Sequence, residues 1–215
     1  MSLKLNGSSS GYVALDAPAT AGSNTLTLPT SNGSANQFLV NGSSAGSLDW
    51  KNNPGIRISD TWRLTTLFRG DVNPIVNWER TDTTGQANIL DGTSGMSESS
   101  GLFTFPTTGI WEIIVSYQMQ SASGQSDDWV GMHSYFSTNS GTNWTAMDYS
   151  YISCAVGSAY QRGFNSFTVD VTNSTNCRLK FVSFMEASST STGSYIMGSS
   201  TVNSTWARFN RIGDT

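Results

Sequence analysis

The sequence has few charged side chains. Asp, Glu, Lys and Arg make up 12% of its 215 residues, about half the usual share. Its 11 basic against 15 acidic residues give a net charge of −4, so the clustered basic side chains that grip phosphates or anionic lipids are missing. We therefore expect neither nucleic-acid binding nor attachment to an anionic membrane surface.

Long apolar runs are missing as well. No stretch approaches the roughly 18–20 residues of a membrane-spanning helix, so no membrane insertion is predicted. The first residues, Met1–Leu5, lack the apolar core of a signal peptide. This start predicts a chain that is made and assembled in the cytosol, or exported by another route.

Cysteine and histidine are scarce. Cys154 and Cys177 could form one disulfide if their strands are neighbours, but a cytosolic start favours free buried thiols. Together with the single histidine, His133, they are too few for a structural zinc site of the usual kind. No cofactor is predicted. A calcium site is the weaker alternative, and its best location is the loop Gln125–Asp128, which lacks EF-hand spacing and suits a solvated loop better.

The sequence offers little for catalysis. His133 lies in the strand-like segment Gly131–Tyr135, which favours a structural histidine over the base of a nucleophilic triad. There is no Gly-x-Ser-x-Gly elbow and no glycine-rich phosphate loop. Carboxylates that could cleave a glycan as a pair mostly lie beside turn residues, where Asp usually caps the backbone. The candidates are Asp60, Asp71, Glu79, Asp82, Asp91, Glu98, Asp127, Asp128, Asp148 and Glu186. We predict that the protein is not an enzyme and has no catalytic residues.

In place of charged residues the sequence is rich in Ser, Thr, Asn and Gly, which suit extended backbone and turns better than helix interiors. No segment sustains a 3.6-residue period, so an all-β protein is predicted. A turn-forming cluster, Asn52–Gly55, coincides with a change in composition. It divides the chain into a stem, residues 1–55, and a head, residues 56–215.

The stem is too poor in large apolar side chains to bury a core alone. It could be a disordered linker, or three copies could pool their apolar side chains in an obligate trimeric β stem. The alternation of Leu26 with Leu28 and of Phe38 with Val40 favours the second interpretation, because period-2 patterning has no purpose in a linker. The predicted anchoring side chains are Leu15, Leu26, Leu28, Phe38 and Val40.

Two strings in the stem carry a resemblance. Val13–Pro29, with its Asp-Ala-Pro and Gly-Ser-Asn-Thr-Leu-Thr-Leu-Pro sequences, and Gly33–Leu39 resemble a repeat of fibre and structural proteins in marine tailed phages. The resemblance covers roughly residues 10–50. It implies that the stem anchors the protein to other virion proteins and that the protein belongs to a virion.

The head contains ten strand-like runs separated by turn residues, which indicates a sandwich or barrel. They are Thr61–Phe68, Ile75–Glu79, Gly101–Phe105, Ile110–Gln120, Val130–Phe136, Tyr149–Ala155, Phe164–Val171, Arg178–Met185, Tyr195–Met197 and Thr205–Ile212.

One segment of the head, Gly101–Ile113, is more diagnostic. It places Phe103 and Phe105 on one face of a strand, Pro106 stops the pairing, and Gly109 permits the next turn. It resembles the G-x-F-x-x-P-x-x-G-x-Y-x-F signature of the C1q/TNF-like jelly roll. Further similar segments follow in order: Asn165–Val171, Cys177–Phe181 and Ser204–Phe209. The resemblance implies a ten-stranded jelly roll that forms a homotrimer.

The aromatic content also favours a trimer. Seven Trp, seven Tyr and ten Phe are more than a sandwich of this size needs internally, and aromatic side chains are favoured at subunit interfaces. An aromatic-rich monomer core is the alternative.

Loops displayed on a rigid scaffold are the usual place for recognition. The candidates are Ser121–Trp129, Ser137–Met147 and Ala187–Tyr195. Exposed aromatic rings there could stack on sugars while Asp and Asn bind the hydroxyls; core or interface positions are the alternative for each ring. The predicted recognition residues are Asp127, Asp128, Trp129, Trp144, Tyr149 and Tyr195.

Together these features predict a trimeric tail fibre that binds a host surface glycan or protein through its head. A capsid decoration or head-fibre protein with a structural role is the first alternative. A glycan-cleaving fibre enzyme and a secreted C1q-like lectin are weaker ones.

Overall fold

The computed structural model describes residues 3–34, 37–52, 56, 58–86, 95–121, 127–154, 160–186 and 193–215, without the side chains of Asn52, Asp127 and Cys154. All regular elements in this part of the chain are strands, so the prediction of an all-β protein is confirmed. The chain divides into two compact units, Met1–Asn53 and Pro54–Thr215.

The first unit contains two antiparallel hairpins. Strands β1 (Leu3–Asn6) and β2 (Tyr12–Leu15) form one, and β3 (Gln37–Asn41) and β4 (Leu48–Asn52) form the other. The segment before β3 adds a single parallel bridge, between Thr27 and Ser47, in place of the predicted strand around Leu26 and Leu28.

The second unit is a sandwich of two antiparallel sheets. Its described residues form twelve strands: β5 (Ile58–Leu64), β6 (Thr66–Arg69), β7 (Trp78–Arg80), β8 (Ser97–Ser99), β9 (Leu102–Thr104), β10 (Gly109–Gln120), β11 (Asp127–Ser137), β12 (Thr145–Cys154), β13 (Tyr160–Val171), β14 (Arg178–Met185), β15 (Tyr195–Ser199) and β16 (Trp206–Gly213). One sheet has the order β6-β15-β10-β16-β5-β7, with β13 paired to the other edge of β10; the second has the order β12-β11-β14-β9-β8.

Strand β10 explains how the core is built. Its alternate side chains Trp111, Ile113, Val115, Tyr117 and Met119 are fully buried, while the residues between them are mostly half-buried on the opposite face. This period of two is the pattern of a strand with one face on the core. The facing sheet contributes the inward side chains of β11 and β14.

The segment Gly101–Ile113 makes the predicted turn between the sheets. Phe103 and Phe105 are buried, and the Phe105 ring lies 5.3 Å from that of Trp111. Strand β9 ends before Pro106, and β10 begins at Gly109, whose φ of 140° favours glycine.

Cys177 is buried in this core with a free thiol, as predicted. The side chain of Cys154 lies outside the described residues, although its backbone pairs with Asp127 in β11.

Tyr117 joins the two sheets at the edge formed by β12 and β13. Its hydroxyl lies 2.9 Å from Oγ of Ser150 and donates to the Ser150 carbonyl at 3.0 Å. The tyrosine ring passes directly over Gly163, where an added Cβ would lie 2.1 Å from the ring carbon Cζ. Burial raises the pKa of Tyr117, because the ionised phenol would be poorly solvated there.

Replacing Gly163 should therefore weaken the sandwich. Gly163→Ala forces the Tyr117 ring away from Ser150, and overpacking of this kind costs about 1–3 kcal/mol in the free energy of unfolding. Urea unfolding followed by circular dichroism would measure the loss. Gly213→Ala is the matched control, because its Cβ would meet Ile110 at an ordinary 3.9 Å. Equal stability of the two variants would contradict the packing.

Candidate functional site

The outer surface of the five-stranded sheet carries a cluster of aromatic rings. Because Val130, Met132 and Phe136 of β11 point into the core, Trp129, His133 and Tyr135 point outward. Neighbouring strands add Tyr149 and Tyr151 from β12 and Phe184 from β14. We call this set the aromatic face: Trp129, His133, Tyr135, Tyr149, Tyr151 and Phe184.

His133 lies at the centre of the aromatic face. Its ring centroid is 4.2 Å from that of Tyr149, 4.4 Å from Phe184 and 5.1 Å from Tyr151. Trp129 extends the cluster through an edge-on contact with Tyr151 at 5.9 Å. The rings therefore hold one another in place.

Gly131 lets the Tyr151 ring lie against the sheet. The two residues are paired across β11 and β12, and a Cβ on Gly131 would lie 2.7 Å from two Tyr151 ring carbons. It would also approach Nε2 of His133 to 3.3 Å. A larger residue at this position would displace the rings.

His133 is buried without partners for its polar atoms. Only 6% of the residue is exposed, and neither ring nitrogen has a hydrogen-bond partner in the described part of the chain. Burial lowers the pKa of His133, because the charged imidazolium would lose its hydration. The imidazole is therefore neutral at pH 7.

Among the described residues, charged side chains lie at the two ends of the aromatic face. At one end, Nζ of Lys180 is 4.4 Å from the Trp144 ring centroid and 5.6 Å from that of Tyr135, and it donates to Oδ1 of Asn73 at 2.9 Å. Burial lowers the pKa of Lys180. At the other end, the Asp128 backbone N–H donates to the Glu186 carboxylate.

Tyr135 completes the surface between His133 and Lys180. Burial raises the pKa of its phenol, and a side-chain hydrogen bond with Tyr149 raises it further. The centre of the aromatic face thus consists of neutral rings, three of which carry hydroxyl groups.

The structure brings together part of the predicted recognition set. Trp129 and Tyr149 belong to the aromatic face, and Trp144 and Asp128 lie at its two ends. Tyr195 does not join them: it lies on β15 in the other sheet, with the Arg69 guanidinium 3.8 Å from its ring centroid. The side chain of Asp127 lies outside the described residues.

The expectation that Trp129 ends a loop needs correction. Trp129 lies on β11, because that strand begins at Asp127, three residues before its predicted start at Val130. Tyr149 and Tyr195 lie on β12 and β15, in strands that the sequence predicted. The sequence interpretation missed Tyr135, Tyr151 and Phe184. The alternation Tyr149-Ser150-Tyr151 could have indicated that two tyrosines share one face.

Several of the carboxylates considered for glycan cleavage form ion pairs with arginines. Asp60 is fully buried and accepts from Arg80 Nε at 3.0 Å, from the Trp62 indole at 3.0 Å and from the Met96 backbone at 2.7 Å. Glu79 and Asp82 both bind the buried guanidinium of Arg63. These groups are committed to structural ion pairs.

Metal and membrane sites are not evident in the described ranges. Those residues contain no group of three or more His, Cys, Asp or Glu side chains arranged to hold a metal ion. Gln125 and Ser126 of the candidate calcium loop lie outside them, as do the side chain of Asp127 and the whole of Asp91. None of the described residues forms a helix long and apolar enough to cross a membrane.

No protein-family model matches the chain, and no curated protein matches it. Solved structures do match. A structure of Eiger TNF from S. frugiperda aligns with a TM-score of 0.51 at 12% identity, over 76% of this chain and 96% of that one. A crystal structure of murine APRIL at pH 5.0 aligns with a TM-score of 0.50 at 8% identity, over 72% and 98%. The chain has a TNF-like jelly-roll fold. At these identities the likeness concerns the fold alone.

The buried neutral His133 predicts a pH dependence of stability. Because its folded pKa is lowered, the unfolded chain takes up a proton at higher pH than the folded chain, so the free energy of unfolding falls as the pH drops through about 6.5. His133→Phe keeps a ring and removes this titration. Thermal unfolding at about pH 7.5 and about pH 5.5 should show a larger fall in Tm for the native protein than for the variant.

Tyr160→Phe, on the opposite sheet, serves as the control and should retain the native pH profile. Parallel Tm profiles of the native protein and His133→Phe would contradict the prediction.

Proposed function

We propose that the protein is a trimeric, non-enzymatic virion fibre protein of the tail. The stem, residues 1–55, anchors it to other virion proteins, and the TNF-like head recognises a host cell surface. The observation that carries this proposal is a rigid sandwich with an exposed aromatic face, joined in sequence to a stem that leaves its apolar side chains uncovered.

The stem hairpin β1–β2 supports anchoring by other chains. The register pairs Leu3 with Leu15 and Leu5 with Val13, so these four side chains share one face, and each is 57–68% exposed. A two-stranded hairpin alone is marginally stable in water. Burial of this face against other copies or virion proteins would supply the missing stability.

The other predicted anchoring side chains are similarly placed. Leu26 and Leu28 are 67% and 69% exposed on either side of the Thr27 bridge, and Phe38 is half exposed. Val40 is half-buried in β3. Such large uncovered apolar side chains in a nearly uncharged segment are typical of a binding surface.

The outer surface of the seven-stranded sheet is the proposed subunit interface. There Phe164 of β13 and Trp206 of β16 flank Ser116 of β10, and Tyr160 extends the row. Phe164 and Tyr160 are 58% and 57% exposed. Arg162, which donates to Ser116 at 2.8 Å, lies among them. Exposed aromatics interleaved with Arg are favoured at interfaces.

A capsid decoration protein is the second candidate. It would use the same exposed stem side chains, with the shell as the partner. A glycan-cleaving fibre is a weaker candidate, because Asp60, Glu79 and Asp82 bind arginines.

Labelling intact particles with antibodies against the head tests the proposed location. Label at the tail supports the tail fibre, and label over the capsid surface supports the decoration protein instead. Particles that carry no label would contradict both.

The trimer predicts a change in mass upon substitution of Phe164. Phe164→Asp would place a charge in the proposed interface. It should reduce the free energy of subunit association by at least about 2 kcal/mol, the scale of an interface hot spot. Sedimentation velocity at micromolar concentration should show trimers for the native chain and smaller species for Phe164→Asp. Tyr149→Asp is the matched control, since Tyr149 is 51% exposed on the opposite sheet. A monomeric native chain would overturn the trimer.

A further inference from the structure

We propose that the aromatic face binds an uncharged glycan, with sugar rings stacked on Tyr149, Tyr151 and Trp129. This inference rests on the proposed function, because it names the class of host-surface ligand that the head would recognise.

The exposed rings have the geometry of a stacking surface. Tyr149 and Tyr151 are 51% and 53% exposed and Trp129 is 40% exposed. The two tyrosines are separated by one residue of β12, so they lie on the same face about 7 Å apart. Each offers an apolar ring with a polar group at its edge, which matches a sugar that presents C–H groups on its face and hydroxyls around it.

The distribution of charge favours an uncharged ligand. The centre of the aromatic face contains only neutral side chains, and the phenols can donate and accept hydrogen bonds. Lys180 at one end is already engaged with Asn73 and two rings. Asp128 and Glu186 at the other end would repel sulfate or phosphate groups. A ligand rich in hydroxyls and free of charge complements this pattern.

The exposed aromatic area by itself is smaller than a stable protein interface. Full burial of an aromatic side chain covers about 150–250 Å², so three rings exposed by 40–53% offer roughly 200–400 Å². A stable protein interface needs about 800 Å² on each partner. A short run of sugar residues fits the smaller area.

The rings are also held in position before binding. His133 is packed between Tyr149 and Phe184, and Tyr151 lies over Gly131. Little side-chain entropy would therefore be lost when a sugar stacks on them. His133 acts here as a positioning residue.

Saturation-transfer NMR and affinity electrophoresis with the full chain test this site. The probes are uncharged polysaccharides, namely dextran, mannan and a neutral galactan, together with the methyl glycosides of their sugars. We expect binding of at least one polysaccharide, weakened roughly three- to tenfold by Tyr149→Ala or Tyr151→Ala through loss of one stacked ring. Tyr149→Phe should retain most of the stacking.

Tyr12→Ala is the control and should bind like the native chain, because it removes a 60% exposed ring from the stem hairpin, on the face opposite Leu3 and Leu5. Its binding also separates a stacking site on the aromatic face from nonspecific adsorption to exposed rings. Circular dichroism of each variant verifies that the sandwich is folded.

Three outcomes would overturn the inference. These are binding unaffected by both tyrosine variants, binding to no uncharged probe, or binding to sulfated polysaccharide alone that Lys180→Gln abolishes.

Particle adsorption to host cells separates the glycan inference from the proposed function. Suppose that the native chain binds no uncharged probe but particles carrying Tyr149→Ala adsorb poorly. That result would refute the glycan as the ligand and would still support host recognition through the aromatic face. If the variant loses glycan binding but its particles adsorb as well as native ones, host recognition through this face is refuted. The glycan site itself would still be supported.

Discussion

Phe103 lies where the two sheets of the head meet, and the rest of the sandwich depends on its packing. Its ring centroid is 5.5 Å from Trp62, 5.7 Å from Trp78 and 5.0 Å from Phe209 in the seven-stranded sheet, and 5.6 Å from Phe181 beside it. The long strands β10, β14 and β16 direct alternate large side chains into the core that surrounds this cluster. The register of these strands is thereby fixed, because a slip of one residue would turn their apolar side chains out to solvent.

The same constraint determines what the outer surfaces carry. Once β11 commits Val130 and Met132 to the core, His133 must lie outside, and its register with β12 brings Tyr149 beside it. On the other sheet, Val115 and Tyr117 point into the core, so Ser116 between them faces outward beside Phe164. A single core thus presents two aromatic surfaces on opposite sheets, which can serve different partners without competing for space.

The sequence predicted local features well and long-range ones poorly. All ten strand-like runs overlap strands, because period-2 patterning and turn residues are local signals. Strand β8 was missed, since Ser97–Ser99 carries no apolar pattern. In the sequence, Asp60 looked like a solvated carboxylate. In the structure it is buried and forms an ion pair with Arg80. The pairing of β5 with β7 brings these two residues together, and the sequence alone does not reveal that pairing. The centre of the aromatic face was missed for a similar reason: it forms only when β11 pairs with β12 on one side and with β14 on the other.

The two units differ in how much of their apolar surface they cover. The head buries its large core side chains within its own sandwich, whereas Leu3, Leu5, Val13 and Leu15 remain exposed together on one face of the stem hairpin. The head thus has a hydrophobic core of its own. In the proposed function, burial of the exposed stem face against other chains would stabilise the hairpin. Under the proposed function, the stem's partners decide where the protein is held, and the head's aromatic face decides what it binds. Substitutions in one unit are then expected to leave the proposed role of the other intact, because each unit has its own set of paired strands.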